Sequence, residues 1–467
     1  MKKTIYNISY YITCFRLQVE EAKHFKNFKV PGGTVVNFLL TSKGYLALGI
    51  EKSESKLKEN FCDPYFIKGM GSDWVRNNLK DLNPASNWEK AYLEKKEENG
   101  EILYKPKDIH ALLILADNDK SNLGQKVRFF LRDVLGIGSK GLNGTKGGES
   151  KKDTPKGKDE EQELVEIITA EHAILQRNDY GQVIEHFGFR DGISNPLFLE
   201  SDCEDIDKYG GYSEWDPRSP LSLALIKDPY GKNEDLSFGS YLVYRKYEQH
   251  VKTFELLIKN LSADLHPENE SESVLEMTRA LVMGRFRDGV PLALKGEGRR
   301  YSYENYNNFN YEDDSVGIKC PLHAHIRKVN HRPLKNKKDY TQIVRRGMTY
   351  GERKNYNSLQ LDSLPNQDVG LLFMSFQASI AEQFAPLQID WANDPNKPQP
   401  GTGRDNIIGQ GFQYNDGQQI NEPKRWPLEW NTSKYKYSNA MQSCISLRGG
   451  EFFFAPSISF LKNIDNL

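Results

Sequence analysis

No stretch of this 467-residue chain approaches the run of about 18 apolar side chains that a helix needs to cross a bilayer, so a membrane span is not expected. Its first residues, Met1-Lys2-Lys3-Thr4-Ile5-Tyr6-Asn7, carry two lysines but lack the uninterrupted apolar segment and small-residue cleavage site of a secretory leader. Cysteine is scarce. Cys14, Cys62, Cys203, Cys320 and Cys444 are odd in number, widely scattered and free of any CxxC pair, which argues against a disulfide framework or a zinc knuckle and favours a reducing cytoplasm. Excess charge is absent too: 63 basic residues oppose 64 acidic ones, and a net charge of −1 gives no pull toward nucleic acid. A dinucleotide-binding glycine signature is also missing. Of the nine histidines, only His323 and His325 lie close enough in sequence to suggest a site.

Aromatic residues are plentiful, 24 Tyr and 23 Phe, which suits a well-filled core and an aromatic ligand within it. Aromatic and β-branched runs predict strands at 9–17, 34–40 and 109–116, with helices at 19–28 and 127–135. Residues 136–163 are Gly, Lys, Ser and acid with almost no apolar content, and read as a solvated surface loop whose charges cancel. Further strands are expected at 164–174, 238–247, 370–377 and 452–455. Helices are expected at 250–261, 272–284 (closing on Gly284) and 378–389. Stretches 202–235, 301–314 and 399–431 read as polar and irregular. Strand, helix, strand recurs in both halves, predicting an α+β protein of two related domains, 1–200 and 201–467.

Three motifs could carry chemistry. In His186-Phe187-Gly188-Phe189-Arg190-Asp191-Gly192-Ile193-Ser194-Asn195-Pro196, glycines bend the chain and Ser-Asn-Pro stops it, presenting Asp191 between Phe189 and Ile193. Such a carboxylate can move protons, although aspartate more often serves turns and caps. In Cys320-Pro321-Leu322-His323-Ala324-His325-Ile326-Arg327, either histidine could ligate a metal or haem iron, and a buried structural histidine is the commoner case. In Val344-Arg345-Arg346-Gly347, one guanidinium could enter a cavity and stabilise an anionic oxygen, or both could be surface charge.

Taken together, HFGFRDGISNP, GSYLVYRKYEQHV, LVMGRFRDGVPL, CPLHAHIRKVN, VRRGMTYG and GLLFMSFQASIAEQF resemble, in order and rough spacing, the dye-decolorizing (DyP-type) haem peroxidases. The six blocks span about residues 180 to 395; TVVNFLLTSKGYLALGI and HALLILA match more loosely, and at most Asn7-Ile8 remains of the family's DIQG-like opening. The resemblance implies two ferredoxin-like domains of the dimeric α/β-barrel type, the C-terminal one holding most of a haem b site. It also implies a peroxidase that cleaves hydrogen peroxide to a ferryl intermediate and oxidises dyes, phenols or other bulky reductants, with surface Tyr or Trp relaying electrons. By the same resemblance His325 is the proximal iron ligand, Asp191 the distal acid and Arg345 the distal arginine, with His323 a local departure. Gly192, Ile193 and Ser194 would line the haem edge, Arg327 would approach a propionate, Leu371 and Phe373 would roof the pocket from one strand face, and Glu382 would back the imidazole. A homo-oligomer is compatible with it. The rival activities are non-catalytic haem carriage or sensing and removal of iron from haem.

Overall fold

The computed structural model describes residues 32–135, 165–208, 212–233, 235–298, 306–332, 341–353, 360–412, 414–415 and 418–464. The expected strand 9–17, helix 19–28 and surface loop 136–163 lie outside them. The architecture is α+β. Strands β1 (Val35–Leu40), β2 (Ala111–Ala116), β3 (Ala173–Ile174), β4 (Phe238–Gln249), β5 (Val344–Arg345), β6 (Met348–Tyr350) and β7 (Gly370–Gln377) are followed by a separate hairpin of β8 (Lys424–Pro427) and β9 (Tyr435–Ser438), then by β10 (Ile445–Ala455). Across the main sheet the order is β2-β1-β10-β4-β7-β6-β3, every pair antiparallel, with β5 also laid along β7. One sheet thus takes strands from both sides of residue 200.

Strand β4 explains the arrangement. It is buried on both faces over nearly its whole length, as a central strand must be. Its charged residues are tolerated there because each is paired. Arg245 meets Asp81 at 2.6 and 3.0 Å, and Lys246 meets Glu89 and Glu171 at 2.8 Å. Alternation sends Tyr247 and Gln249 to the face that Leu371 and Phe373 of β7 also present, since Leu371 pairs with Tyr247 and Phe373 with Arg245. Gly370 permits this register, because a Cβ there would stand 1.9 Å from the carbonyl oxygen of Tyr247.

Two long helices, α1 (Val251–Leu265) and α2 (Glu272–Met283), pack against each other. In α1, Phe254, Ile258, Leu261 and Leu265 form one buried stripe at helical spacing. Helix α2 ends where expected, with Gly284 left-handed at φ 92°. Two hydrophobic clusters result. Phe61, Phe66, Tyr241 and Phe454 interlock on one side of the sheet, while Phe187, Phe254, α2 and Trp426 form the other. A short helix α3 (His325–Val329) lies in the second region.

Three sequence expectations are corrected. Of the described residues of the strand expected at 164–174, only Ala173–Ile174 pairs, with Tyr350 and Thr349 of β6. The stretch 202–235 is not wholly irregular, because Glu200–Lys208 is a helix. The part of the polar loop 301–314 that is described buries Tyr306, Phe309, Tyr311 and Asp314. Among the described residues no helix is long and apolar enough to cross a membrane, and Cys62, Cys203, Cys320 and Cys444 are thiols.

Candidate active site

The bend that carries Asp191 is built by its own backbone. The Glu185 carboxylate accepts the N–H groups of Phe187 at 2.8 Å and Phe189 at 2.9 Å, and burial raises its pKa. Gly188 and Gly192 sit at φ 94° and 80°, conformations a side chain would strain. Phe187 stacks on Phe254 at 4.3 Å and Phe189 meets the same ring edge-on at 6.3 Å, anchoring the turn in the core. Asp191 then projects into a cavity of about 240 Å³. Its Oδ1 accepts from Gly192 N at 2.6 Å and from Arg345 Nη1 at 2.9 Å, and Oδ2 has no protein partner among the described residues.

Arg345 is delivered from strand β5 and held by Asn195. The Asn195 amide donates to Arg345 O at 3.2 Å, and its oxygen accepts from Arg345 N at 3.0 Å. This two-point clamp ties the bend to a strand 150 residues away. The Asp191–Arg345 pair is about one third exposed, at 27% and 36% of the side chains, so it faces open space rather than core.

His325 opens α3 and lines the same cavity. Its Nδ1 lies 2.9 Å from Asp405 Oδ2, so Nδ1 carries the proton and donates, which leaves Nε2 for the cavity. Asp405 is fully buried. Burial opposes its charge, but His325 and the N–H groups of Ile407 and Ile408 outweigh it and hold the pKa below the ordinary carboxylate range. Leu371, Phe373, Ile193, Gly192 and Ser194 all line the same cavity.

The lining is electropositive. Arg190, Arg285, Arg332 and Arg345 face only two carboxylates, Glu185 and Asp191. Arg285 spends its donors on the carbonyls of Gly289 and Tyr306 and on Ser194 Oγ, and burial pulls its pKa down to about 10. Arg332, held at φ 47°, bonds the carbonyls of Asn307 and Phe309 and stacks 3.7 Å from the Phe309 ring; burial lowers its pKa strongly. Neither has a carboxylate partner among the described residues. A cavity of this kind favours an anion.

Two expected residues are not brought to the cavity. Arg327 is buried elsewhere, bonded to Asp314 Oδ2 at 2.7 Å and to the carbonyls of Cys320 and Asp314, so its guanidinium is already satisfied. Glu382 is exposed in the first turn of a helical segment capped by Ser379, and Asp405 is the residue that backs the imidazole. His323 is buried against Trp426, with its pKa pulled down to about 3 by burial, and is structural rather than cavity-lining. Sequence reasoning missed Asp405, Asn195, Arg285 and Arg332 as site residues. Arg285 lay within a recognised block, and Asn195 within the bend, but nothing local marks Asp405, 80 residues beyond its partner.

Comparison with known proteins identifies the family. Residues 184–399 match the family described as Dyp-type peroxidase, C-terminal. The multifunctional dye peroxidase DyP2 of Amycolatopsis sp. is 36% identical over 316 residues, which is 64% of this chain and 65%, just under two thirds, of that protein. Its solved structure superposes with a TM-score of 0.79 at 30% identity, covering 99% of this chain and 89% of that one. The DyP-type peroxidase of Anabaena sp. superposes with a TM-score of 0.78 at 32% identity, over 99% of this chain and 87% of the other, in keeping with the two ferredoxin-like domains expected. A deferrochelatase of Yersinia pseudotuberculosis matches only 108 residues, 23% of this chain and 21% of that protein, which gives the iron-removal alternative little support. With an imidazole backed by a buried aspartate, an Asp–Arg pair on the same cavity, and these likenesses running along almost the whole chain, the protein belongs to the DyP-type peroxidases, a family of haem-dependent oxidoreductases.

Proposed function

We propose that this protein binds haem b through His325 and uses hydrogen peroxide to oxidise dyes, phenols or other bulky organic reductants. The observation that carries the reading is the convergence of His325–Asp405 with Asp191–Arg345 on one cavity. The lining suits the cofactor: Nε2 of His325 would hold the iron, Ile193, Leu371 and Phe373 would offer apolar contact, and the two buried guanidiniums of Arg285 and Arg332 would suit the charge of its propionates. Bound there, haem would supply the redox centre for cleavage of the O–O bond.

The chain's residues do the rest. Asp191 Oδ2 is free to take a proton from one peroxide oxygen and return it to the other, so that one oxygen leaves as water. Arg345, fixed through its backbone by Asn195, is placed to stabilise the negative charge that grows during this transfer. Asp405 accepts the Nδ1 proton of His325 and makes the imidazole a stronger donor. Two electrons and two protons from the reductant complete the cycle, giving the second water. The odd, scattered cysteines support a cytoplasmic place of work. The proposed division at residue 200 gives the C-terminal domain His325, Arg345 and Asp405, and the N-terminal domain Asp191.

Absorption spectra of the haem-reconstituted protein test the proposal. A Soret band that changes rapidly with one equivalent of peroxide and returns on adding a dye is expected, and His325→Ala should abolish normal haem binding. A Soret band indifferent to peroxide would mean carriage or sensing, and its absence from the unsubstituted protein would refute the cofactor assignment.

A further inference from the structure

His323 stands two residues before His325 and does not line the cavity, yet both of its ring nitrogens are bonded. Nε2 meets the carbonyl of Arg425 at 3.1 Å, which requires a proton on Nε2. Nδ1 is therefore bare and accepts from the Asn406 amide at 3.1 Å. The same amide donates to His323 O at 3.2 Å, so both of its N–H groups are used on one residue. That leaves Asn406 Oδ1 to accept from Lys424 Nζ at 2.7 Å, and Lys424 Nζ also donates to Arg404 O at 2.7 Å. Asp405 lies between the two residues so held. The network is buried, with His323, Asn406 and Lys424 exposed by 2, 3 and 3%. Strand β8 completes it, since Lys424, Arg425 and Trp426 each touch it, Trp426 edge-on to the His323 ring at 4.4 Å.

We propose that His323, Asn406 and Lys424 are positioning residues, a brace that fixes Asp405 against the imidazole of His325 and so sets how strongly that imidazole donates to bound iron. The inference rests on His325 being the haem ligand. Its physical basis is that a ligating imidazole takes its orientation and basicity from the acceptor on its other nitrogen, and that acceptor is only as well placed as the groups around it. The donors and acceptors of the brace match in one arrangement. His323 must give a proton to Arg425 O and take one from Asn406 simultaneously, which an aliphatic residue cannot do.

The test uses the haem-loaded protein. Resonance Raman spectroscopy of the ferrous form reads the iron–imidazole stretch, and spectroelectrochemistry reads the ferric/ferrous midpoint. His323→Leu keeps bulk against Trp426 and removes both ring hydrogen bonds; it should lower the stretching frequency and raise the midpoint. His323→Gln, which can still offer one donor and one acceptor, should bring both back toward the unsubstituted values. A His323→Leu protein with unchanged frequency and midpoint overturns the brace. So does ¹⁵N NMR of the unsubstituted, diamagnetic ferrous–carbonyl protein if it finds His323 protonated on Nδ1, a measurement that holds even where the variants fail to fold. An iron–imidazole band that survives His325→Ala would instead overturn the ligand assignment beneath the inference.

Discussion

Asn195→Ala separates the positioning of Arg345 from its chemistry. The amide makes two bonds to the Arg345 backbone, at 3.0 and 3.2 Å, and both are part-buried. At roughly 0.5–1.5 kcal/mol net for each, their loss should destabilise the fold by about 1–3 kcal/mol. The local effect should be larger than that figure suggests. Strand β5 is only two residues long, pairing Val344 with Phe376 and Arg345 with Ser375, so the clamp carries a large share of the backbone placement of Arg345. Displacing a reacting group by about 1 Å can cost on the order of 10²-fold in rate. We expect stopped-flow measurement of the peroxide reaction, followed at the Soret band, to show a loss of about 10- to 100-fold with haem content unchanged. Asn195→Asp keeps the acceptor for Arg345 N and loses the donor, and should fall between the two. If Asn195→Ala shows the expected stability loss in urea but reacts with peroxide at the original rate, the clamp serves the fold alone and the reasoning fails.

Arg345→Leu should leave haem bound and slow the peroxide reaction by about 10²–10³-fold, as for loss of one donor to a developing oxyanion; an undiminished rate would remove Arg345 from the mechanism. Arg285→Met should weaken haem retention, measured by transfer to apomyoglobin, because a buried positive charge facing the cavity is lost; equal retention would show that Arg285 only ties Gly289 to Tyr306. Phe187→Ala removes a 2%-exposed ring stacked on Phe254 and should cost about 3–5 kcal/mol in urea denaturation. Burial pulls the pKa of His186 down to about 4, while its Nε2 hydrogen-bonds Tyr350 O at 2.8 Å. The folded state therefore favours the neutral ring, so its contribution is full above the unfolded value near 6.5 and is lost as pH falls toward 4. His186→Gln should flatten that part of the stability–pH curve, and an identical slope would exclude His186 as its source.

Long periodic elements were legible because their signals are local. The apolar stripe of α1, the glycine end of α2 and the dense β4 all appear in the sequence as they do in the structure. Asp191, His325 and Arg345 were legible through the blocks around them, and the cavity unites them. Partner choice was not. Arg327 had Asp314 within reach and turned toward it, while Glu382 stayed at a helix start near solvent. Asp405 could be recognised only once the fold had carried it 80 residues back to His325. The apolar run at 164–174 likewise shows that strand propensity needs an edge to pair with, and β6 supplied three residues of one.

Strand β10 is made after every residue that lines the cavity except its own Ile445, yet it lies between β1 and β4 in the middle of the sheet. Until it arrives, β1 with β2 and β4 with β7 are two ribbons with exposed edges. Closure of the sheet therefore waits on its last strand: a ribosome must release most of residues 445–455 before the two ribbons can join. Pairing β1 with β10 spans some four hundred residues, the kind of contact that slows folding. A cavity that takes Ile445 from β10 is complete only once this contact has formed, and the interval before it is when the open edges call for protection from aggregation.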